Sequence, residues 1–190
     1  MRKLALQMQM TIDGFIAGDN GELDFMVWDW DEKLKQYVSD LTETVDCIIL
    51  GRKLAEGFIP HWAGVAANPD DPEFESGKQF TNLHKVVFSK TLAKSEWEKT
   101  VLARDDLIEE ITRLKNQEGK NIIVYGGATF VSALIKNRLV DDLHLFINPA
   151  VIGNGLTIFK DIDQMQSFRL VRSTSFDCGI VVLNYALPQE

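Results

Sequence analysis

Apolar positions along this chain recur at two different periods, and the switches between them mark its elements. Leu4 to Met10 is a polar-interrupted apolar run that reads as a first strand, extended by Phe15-Ile16-Ala17 after a turn at Asp13-Gly14. Asp31 to Thr44 has helical spacing, with Leu34, Tyr37, Val38 and Leu41 on one face and an acidic start that suits the helix dipole. Cys47 to Leu50 reads as a buried strand and a helix begins near Arg52, while Pro60 and the stretch from Ala66 to Pro72 predict a long surface loop. Val86 to Ser89 is a third strand. Asp105 to Gln117 is a helix with Ile108, Ile111 and Leu114 spaced for burial and Gly119 ending it. A strand to Tyr125, a helix from Ala128 to Lys136 and a strand from Leu143 to Asn148 follow. Phe168 to Phe176 and Ile180 to Leu187 then form an antiparallel hairpin through Asp177-Cys178-Gly179. Alternating strands and helices closed by a hairpin predict a three-layer α/β/α fold, with a mostly parallel central sheet and an antiparallel edge.

Composition narrows the class. With 190 residues, 45% hydrophobic, 4 Trp and 11 Phe, the chain can bury one sizeable core, so one domain over 1–190 is expected. A net charge of −8, spread along the chain, weighs against a sequence-independent grip on nucleic acid. Cys47 and Cys178 lie in or beside apolar runs without metal-site spacing, and are expected to be thiols in a reducing compartment. His61, His84 and His144 show no ligand spacing, so no metal is expected. Met1-Arg2-Lys3-Leu4 does not open a signal-peptide segment, and no stretch nears the about 18 apolar residues that span a bilayer. A cytoplasmic protein without a membrane partner is expected.

Candidate chemistry gathers at three strand ends. Asn121 to Phe130 is an apolar β-type run that breaks at Gly126-Gly127 and passes directly into a helix, an arrangement that lets backbone amides and a helix N-terminus close on a phosphate. Taken alone, the two glycines fit a plain tight turn equally well, because a third glycine of the dinucleotide fingerprint is lacking. Gly51-Arg52-Lys53 follows the second main strand and Ser89-Lys90-Thr91 the third. Ligands of open parallel sheets bind beyond the carboxyl ends of the strands, so the three clusters share one edge. Arg52 and Lys53 open a helix and suit a pyrophosphate. Ser89, Lys90 and Thr91 offer two hydroxyls and a cation for a terminal phosphate, such as the one that distinguishes NADPH from NADH.

These segments together resemble the dihydrofolate reductase-like superfamily, and within it the reductase domain of riboflavin biosynthesis found at the C-terminus of the bifunctional deaminase/reductase, with its stand-alone relatives. The resemblance is carried by Thr11-Ile12-Asp13-Gly14-Phe15-Ile16-Ala17, Ile49 to Lys53, Val86 to Leu92, Tyr125 to Ala128, and Val140 to Leu143 running on to Pro149-Ala150-Val151-Ile152-Gly153-Asn154-Gly155. It implies an NADPH-dependent reductase of a pteridine- or pyrimidine-like small molecule. By the same resemblance, Gly51, Arg52, Lys53, Gly126, Gly127, Ala128 and Thr129 would hold the pyrophosphate, and Ser89, Lys90 and Thr91 the 2′-phosphate. Gln9 to Ala17 would pass the nicotinamide, and Trp28, Trp30 and Trp62 would line the pocket. Relatives of this type dimerise, so a homodimer is expected.

Two departures bear on substrate and affinity. Leu54 stands where many relatives carry Thr, removing a hydroxyl from the phosphate site. The segment Asn68 to Glu75 is acidic where a ribose-phosphate substrate would call for Arg, which disfavours the riboflavin intermediate itself. No paired-cysteine deaminase signature is present. For a proton donor, dihydrofolate reductases use a carboxylate near the start of the first helix, where Asp29 and Asp31 stand. The other reading makes Asp31 the helix cap and leaves Asp29 exposed. Asp13, before Gly14, fits a turn. The alternatives to a reductase are a nucleotide-binding protein without reductase activity and an interaction module with no nucleotide.

Overall fold

Leu4, Leu6, Met8 and Met10 point to one face of strand β1 (Leu4–Thr11) and join the largest buried cluster, while Ala5, Gln7 and Gln9 point to the other. The computed structural model describes residues 1–188; positions 189 and 190 of the expected domain lie outside the described residues. Seven further strands complete one sheet: β2 (Val45–Gly51), β3 (His84–Phe88), β4 (Thr100–Ala103), β5 (Asn121–Val124), β6 (Asp142–Asn148), β7 (Arg169–Ser175) and β8 (Val181–Ala186). Their order is β4-β3-β2-β5-β1-β6-β8-β7. Every neighbouring pair runs parallel as far as β6, and β8 lies antiparallel between β6 and β7. The fold is α/β, mostly parallel, with an antiparallel C-terminal hairpin.

Helices cover both faces. On the Leu4/Leu6 face, α4 (Leu107–Lys115) contributes Ile111 and Leu114, and α5 (Ala128–Lys136) contributes Val131, Leu134 and Ile135. The opposite face carries α1 (Glu32–Glu43), α2 (Arg52–Ala66) and α3 (Phe74–Asn82). Ala55, Ile59 and Phe80 pack there on Ile48, Leu50, Val87 and Ile123, and Leu34 packs on Phe146 and Val182.

The structure corrects the reading around Pro60 and adds a helix that the sequence reading did not assign. Pro60 lies inside α2, which runs on to Ala66, so the loop is confined to residues 67–73, and a separate helix, α3, follows it. Packing outweighs the lost backbone bond. Phe58, Trp62, Phe80 and Tyr125 form an aromatic cluster, with Trp62 and Phe80 ring centroids 4.5 Å apart. Gly77 is where the two helices touch, since a Cβ there would sit 2.7 Å from Val65 Cγ1 and 2.8 Å from the Ala66 backbone nitrogen. Strand β4 was not expected either. It is four residues long and sits at the sheet edge, with Val101 exposed and Ala103 buried, too short to show a hydrophobic alternation.

Candidate functional site

Parallel pairing brings the carboxyl ends of β3, β2 and β5 side by side, about 10 Å across at the usual strand spacing. Gly51 is level with Phe88, and Ile49 with Val124, which sets Gly126 beside Gly51. Two helices start at this edge, α2 directly after Gly51 and α5 directly after Gly127.

How these helices begin differs from the rest of the molecule. α1 is capped by the side chain of Asp31 and α4 by that of Asp106, and α1, α3 and α4 each carry an acidic residue in the first turn. α2 and α5 have neither a side-chain cap nor an acidic first turn. Their first N–H groups and positive dipole ends therefore remain available to an anion. The glycines make the two termini converge. A Cβ at Gly51 would lie 3.2 Å from Phe130 Cβ, and one at Gly126 would lie 3.2 Å from Leu54 Cδ2, so the start of each helix packs against the strand end of the other. Gly127 has φ +89°, a conformation that L side chains rarely adopt. Among the expected residues, Gly51, Arg52, Lys53, Gly126, Gly127, Ala128 and Thr129 are thus brought to one place. Arg52 is half-exposed and pairs with Glu56 at 2.7 Å, while Lys53 and Thr129 are exposed. Leu54 fills the space beside Gly126.

The loop after β3 is built by Ser89. Its buried Oγ accepts from the amides of Thr91 (3.2 Å) and Leu92 (3.0 Å), which folds the loop back and leaves Lys90 and Thr91 exposed. Arg104, just past β4, donates to the carbonyls of Leu92 (2.8 Å) and Ala93 and holds the loop from the other side. Nothing in the sequence pointed to Arg104, because the strand that delivers it was not recognised.

The extension after β1 is clamped by the loop after β6. Ala17 is buried, and its carbonyl accepts from Leu156 N at 2.9 Å; a Cβ at Gly155 would meet that oxygen at 2.2 Å. Asp13 receives the amides of Ile152 (3.2 Å) and Gly153 (2.7 Å), so it secures this loop as well as the turn expected of it. A hydrogen bond with Thr11 comes first among the influences that hold its carboxyl below the usual range. Ala17 is one strand removed from the glycine turn, with β1 lying next to β5.

Of the two carboxylates proposed as proton donors, Asp31 is engaged elsewhere. Oδ1 accepts from Leu34 N (3.0 Å) and Oδ2 from Cys178 N (3.0 Å), and the Cys178 bond leads the effects that keep the carboxyl ionised below its ordinary range. Asp29 is exposed and makes no hydrogen bond among the described residues. The tryptophans expected to line a pocket are divided. Trp30 stacks on Phe146 (6.3 Å) and Trp62 belongs to the α2/α3 cluster, whereas Trp28 is 71% exposed.

Asn148 at the end of β6 is fully buried and joins β1 to the segment before α1. Its Oδ1 accepts from Val27 N (2.9 Å) and its Nδ2 donates to Gln9 Oε1 (2.7 Å). A polar residue closing an apolar strand is the signal the sequence offers for it.

An open, mostly parallel sheet with two uncapped helix starts and a glycine turn at its carboxyl edge is an arrangement suited to an anionic ligand. The chain belongs to the RibD C-terminal domain family, whose profile matches residues 2–182. It is 32% identical to the Bacillus subtilis protein YyaP over 97% of this chain and 94% of that one. It is 24% identical to the riboflavin biosynthesis protein RibD of Corynebacterium ammoniagenes over 82% of this chain and 45% of that one. Among solved structures it is similar to a riboflavin biosynthesis protein from Shewanella sp. PV-4, with TM-score 0.72, 20% identity and full coverage of both chains. It also resembles the deaminase/reductase of Thermotoga maritima, with TM-score 0.69 and 19% identity over 98% of this chain and 57% of that one. The family is one of RibD-like reductases that use a nicotinamide cofactor. No helix among the described residues is long and apolar enough to cross a membrane.

Proposed function

We propose that the protein is a cytoplasmic, NADPH-dependent reductase of a neutral pteridine- or pyrimidine-like small molecule. The observation that carries this reading is the pair of uncapped helix starts at Gly51 and Gly127, meeting beside the Ser89–Thr91 loop. The residues fit the cofactor. First-turn amides of α2 and α5 would hold the pyrophosphate, with Arg52 and Lys53 adding charge, and Lys90 and Thr91 are placed for a 2′-phosphate. Bound there, the dihydronicotinamide supplies a hydride. The chain's part is to hold the two rings face to face at β1 and to exclude water, which the Ala17–Leu156 clamp serves. Asp31 is held as an ionised cap, so Asp29 is the carboxylate we assign to proton delivery.

The acidic connection between α2 and α3 places Asp70, Asp71 and Glu73 around turns instead of a phosphate-binding arginine, which favours a substrate without a ribose phosphate. Strand β7 is the edge of the sheet opposite β4, with Leu170 and Val171 about half exposed, and supports a homodimer paired along that edge. Light scattering with Leu170→Lys tests this. The engaged Asp31 also favours a second reading, a nucleotide-binding protein without reductase activity. Loss of NADPH absorbance with a panel of pterins, lumazines and pyrimidinediones separates the two. Turnover that falls in Asp29→Asn supports the reductase, and NADPH binding with no oxidation across the panel supports the alternative.

A further inference from the structure

The connection from β3 to β4 runs from Ser89 to Lys99 without helix or strand. Between Lys90 and Glu98 it makes no hydrogen bond from one backbone group to another among the described residues, so side chains set its shape. In the half next to the nucleotide site, two side chains do this. Ser89 Oγ accepts from Thr91 N (3.2 Å) and Leu92 N (3.0 Å), and Arg104 Nη2 donates to Leu92 O (2.8 Å) and to Ala93 O. The amide and the carbonyl of Leu92 are thus held by different residues, one opening the loop and the other following the next strand.

Strand register delivers Arg104 to this place. Phe88 is level with Ala103, and Ser89 N donates to Ala103 O at 3.1 Å, so Arg104 stands beside the start of the loop. Leu92 also packs into the cluster under α2, which anchors the returning loop beside the helix that begins at Gly51. Lys90 lies two residues before Leu92, at most about 7 Å away between Cα atoms. Lys90 and Arg104 are both exposed, and neither makes an ion pair among the described residues. The carboxylates nearby are engaged elsewhere, Glu96 with Lys94 at 3.3 Å and Asp106 with the first amides of α4.

We propose that Arg104 is a positioning residue of the cofactor site: by fixing the Leu92 and Ala93 carbonyls it holds the loop in the shape that presents Lys90 and Thr91 together to the 2′-phosphate, and so sets the preference for NADPH over NADH. A loop left free must be ordered when the nucleotide binds, and that cost falls on the nucleotide whose phosphate the loop meets. NADH makes no use of the loop and should bind Arg104 variants as it binds wild type. The proposal rests on the NADPH reading of the site.

Two substitutions at this exposed position test it. Arg104→Met keeps an unbranched stem and removes the donors, and Arg104→Lys restores donors and charge. Dissociation constants from tryptophan quenching should show NADPH weakened about tenfold in Arg104→Met and NADH within about twofold of wild type, with most of the loss recovered in Arg104→Lys. In a Lys90→Ala background Arg104→Met should have little further effect, because the two residues act through one contact. Equal weakening of both nucleotides would overturn the proposal. So would effects of Lys90→Ala and Arg104→Met that add, as they would for a charge acting at a distance, or a lysine that recovers nothing. Hydrogen exchange in the nucleotide-free protein is an independent readout. The Thr91 and Leu92 amides should exchange faster in Arg104→Met, and unchanged exchange would count equally against it. If wild type prefers NADPH and Arg104→Met behaves like it, this inference fails and the cofactor reading stands; if wild type binds neither nucleotide, both fall.

Discussion

Asn148 and Gln9 are joined side chain to side chain, Nδ2 to Oε1 at 2.7 Å, and through the Val27 amide the same asparagine ties the segment ahead of α1 to the first strand. Asn148→Ala leaves the Val27 N–H and the Gln9 oxygen unpaired in a site with 0% exposure. Unmet buried groups cost about 1–3 kcal/mol each, so a loss of about 2–4 kcal/mol in urea unfolding is expected. Hydrogen exchange should accelerate first at Val27 and its neighbours. An unchanged unfolding midpoint would show that the bond contributes little.

Asp31 should prove structural. Asp31→Ala removes the acceptor for Leu34 N and Cys178 N, freeing both the helix start and the hairpin turn, and a drop of a few degrees in Tm is expected. The depressed carboxyl contributes its stability above the ordinary aspartate range, and that contribution is lost as pH falls through the lower folded value. Turnover per folded molecule should survive Asp31→Ala; its abolition would return this residue to the proton-transfer step.

His144 sets a second acid limit. It sits on β6 with Nδ1 2.6 Å from Tyr37 Oη and Nε2 3.4 Å from Asn184 Nδ2, and burial lowers its pKa to about 4, against a smaller opposing effect of Asp142. Between the ordinary value of 6.5 and about 4, the unfolded chain binds a proton that the folded one does not. Stability therefore falls as pH drops through that window, by up to about 3 kcal/mol. Urea midpoints recorded from pH 7 to pH 4 should show this slope in the wild type and a shallower one in His144→Gln.

Gly127→Ala tests the turn that starts α5. Its φ of +89° strains any L side chain, at about 1–3 kcal/mol. NADPH affinity should fall at least tenfold in molecules that remain folded by circular dichroism. Retained affinity would show that the cofactor does not approach this turn.

The sequence made legible those elements whose local signals agree with their packing. Helix α5 begins at Ala128 and ends at Lys136 as expected, and Asp31 heads α1, because glycine, aspartate and 3.6-residue periodicity act within a few residues. Pro60 misled because its meaning is tertiary: it is tolerated by an aromatic cluster assembled from three elements. The glycine turns of the site could be read because backbone conformation is written locally. The hold of Asp31 on the Cys178 amide, the loop-building role of Ser89, the brace from Arg104 and the orientation of Gln9 could not, since each depends on a partner that only the folded chain supplies.

The most direct test of the nucleotide site is titration of the protein with NADPH and NADH, followed by tryptophan quenching, in wild type, Lys90→Ala and Arg52→Ala. Tight NADPH binding is expected, with a clear preference over NADH that disappears in Lys90→Ala, while Arg52→Ala weakens both nucleotides alike. Absence of binding by either nucleotide at millimolar concentration would contradict the account.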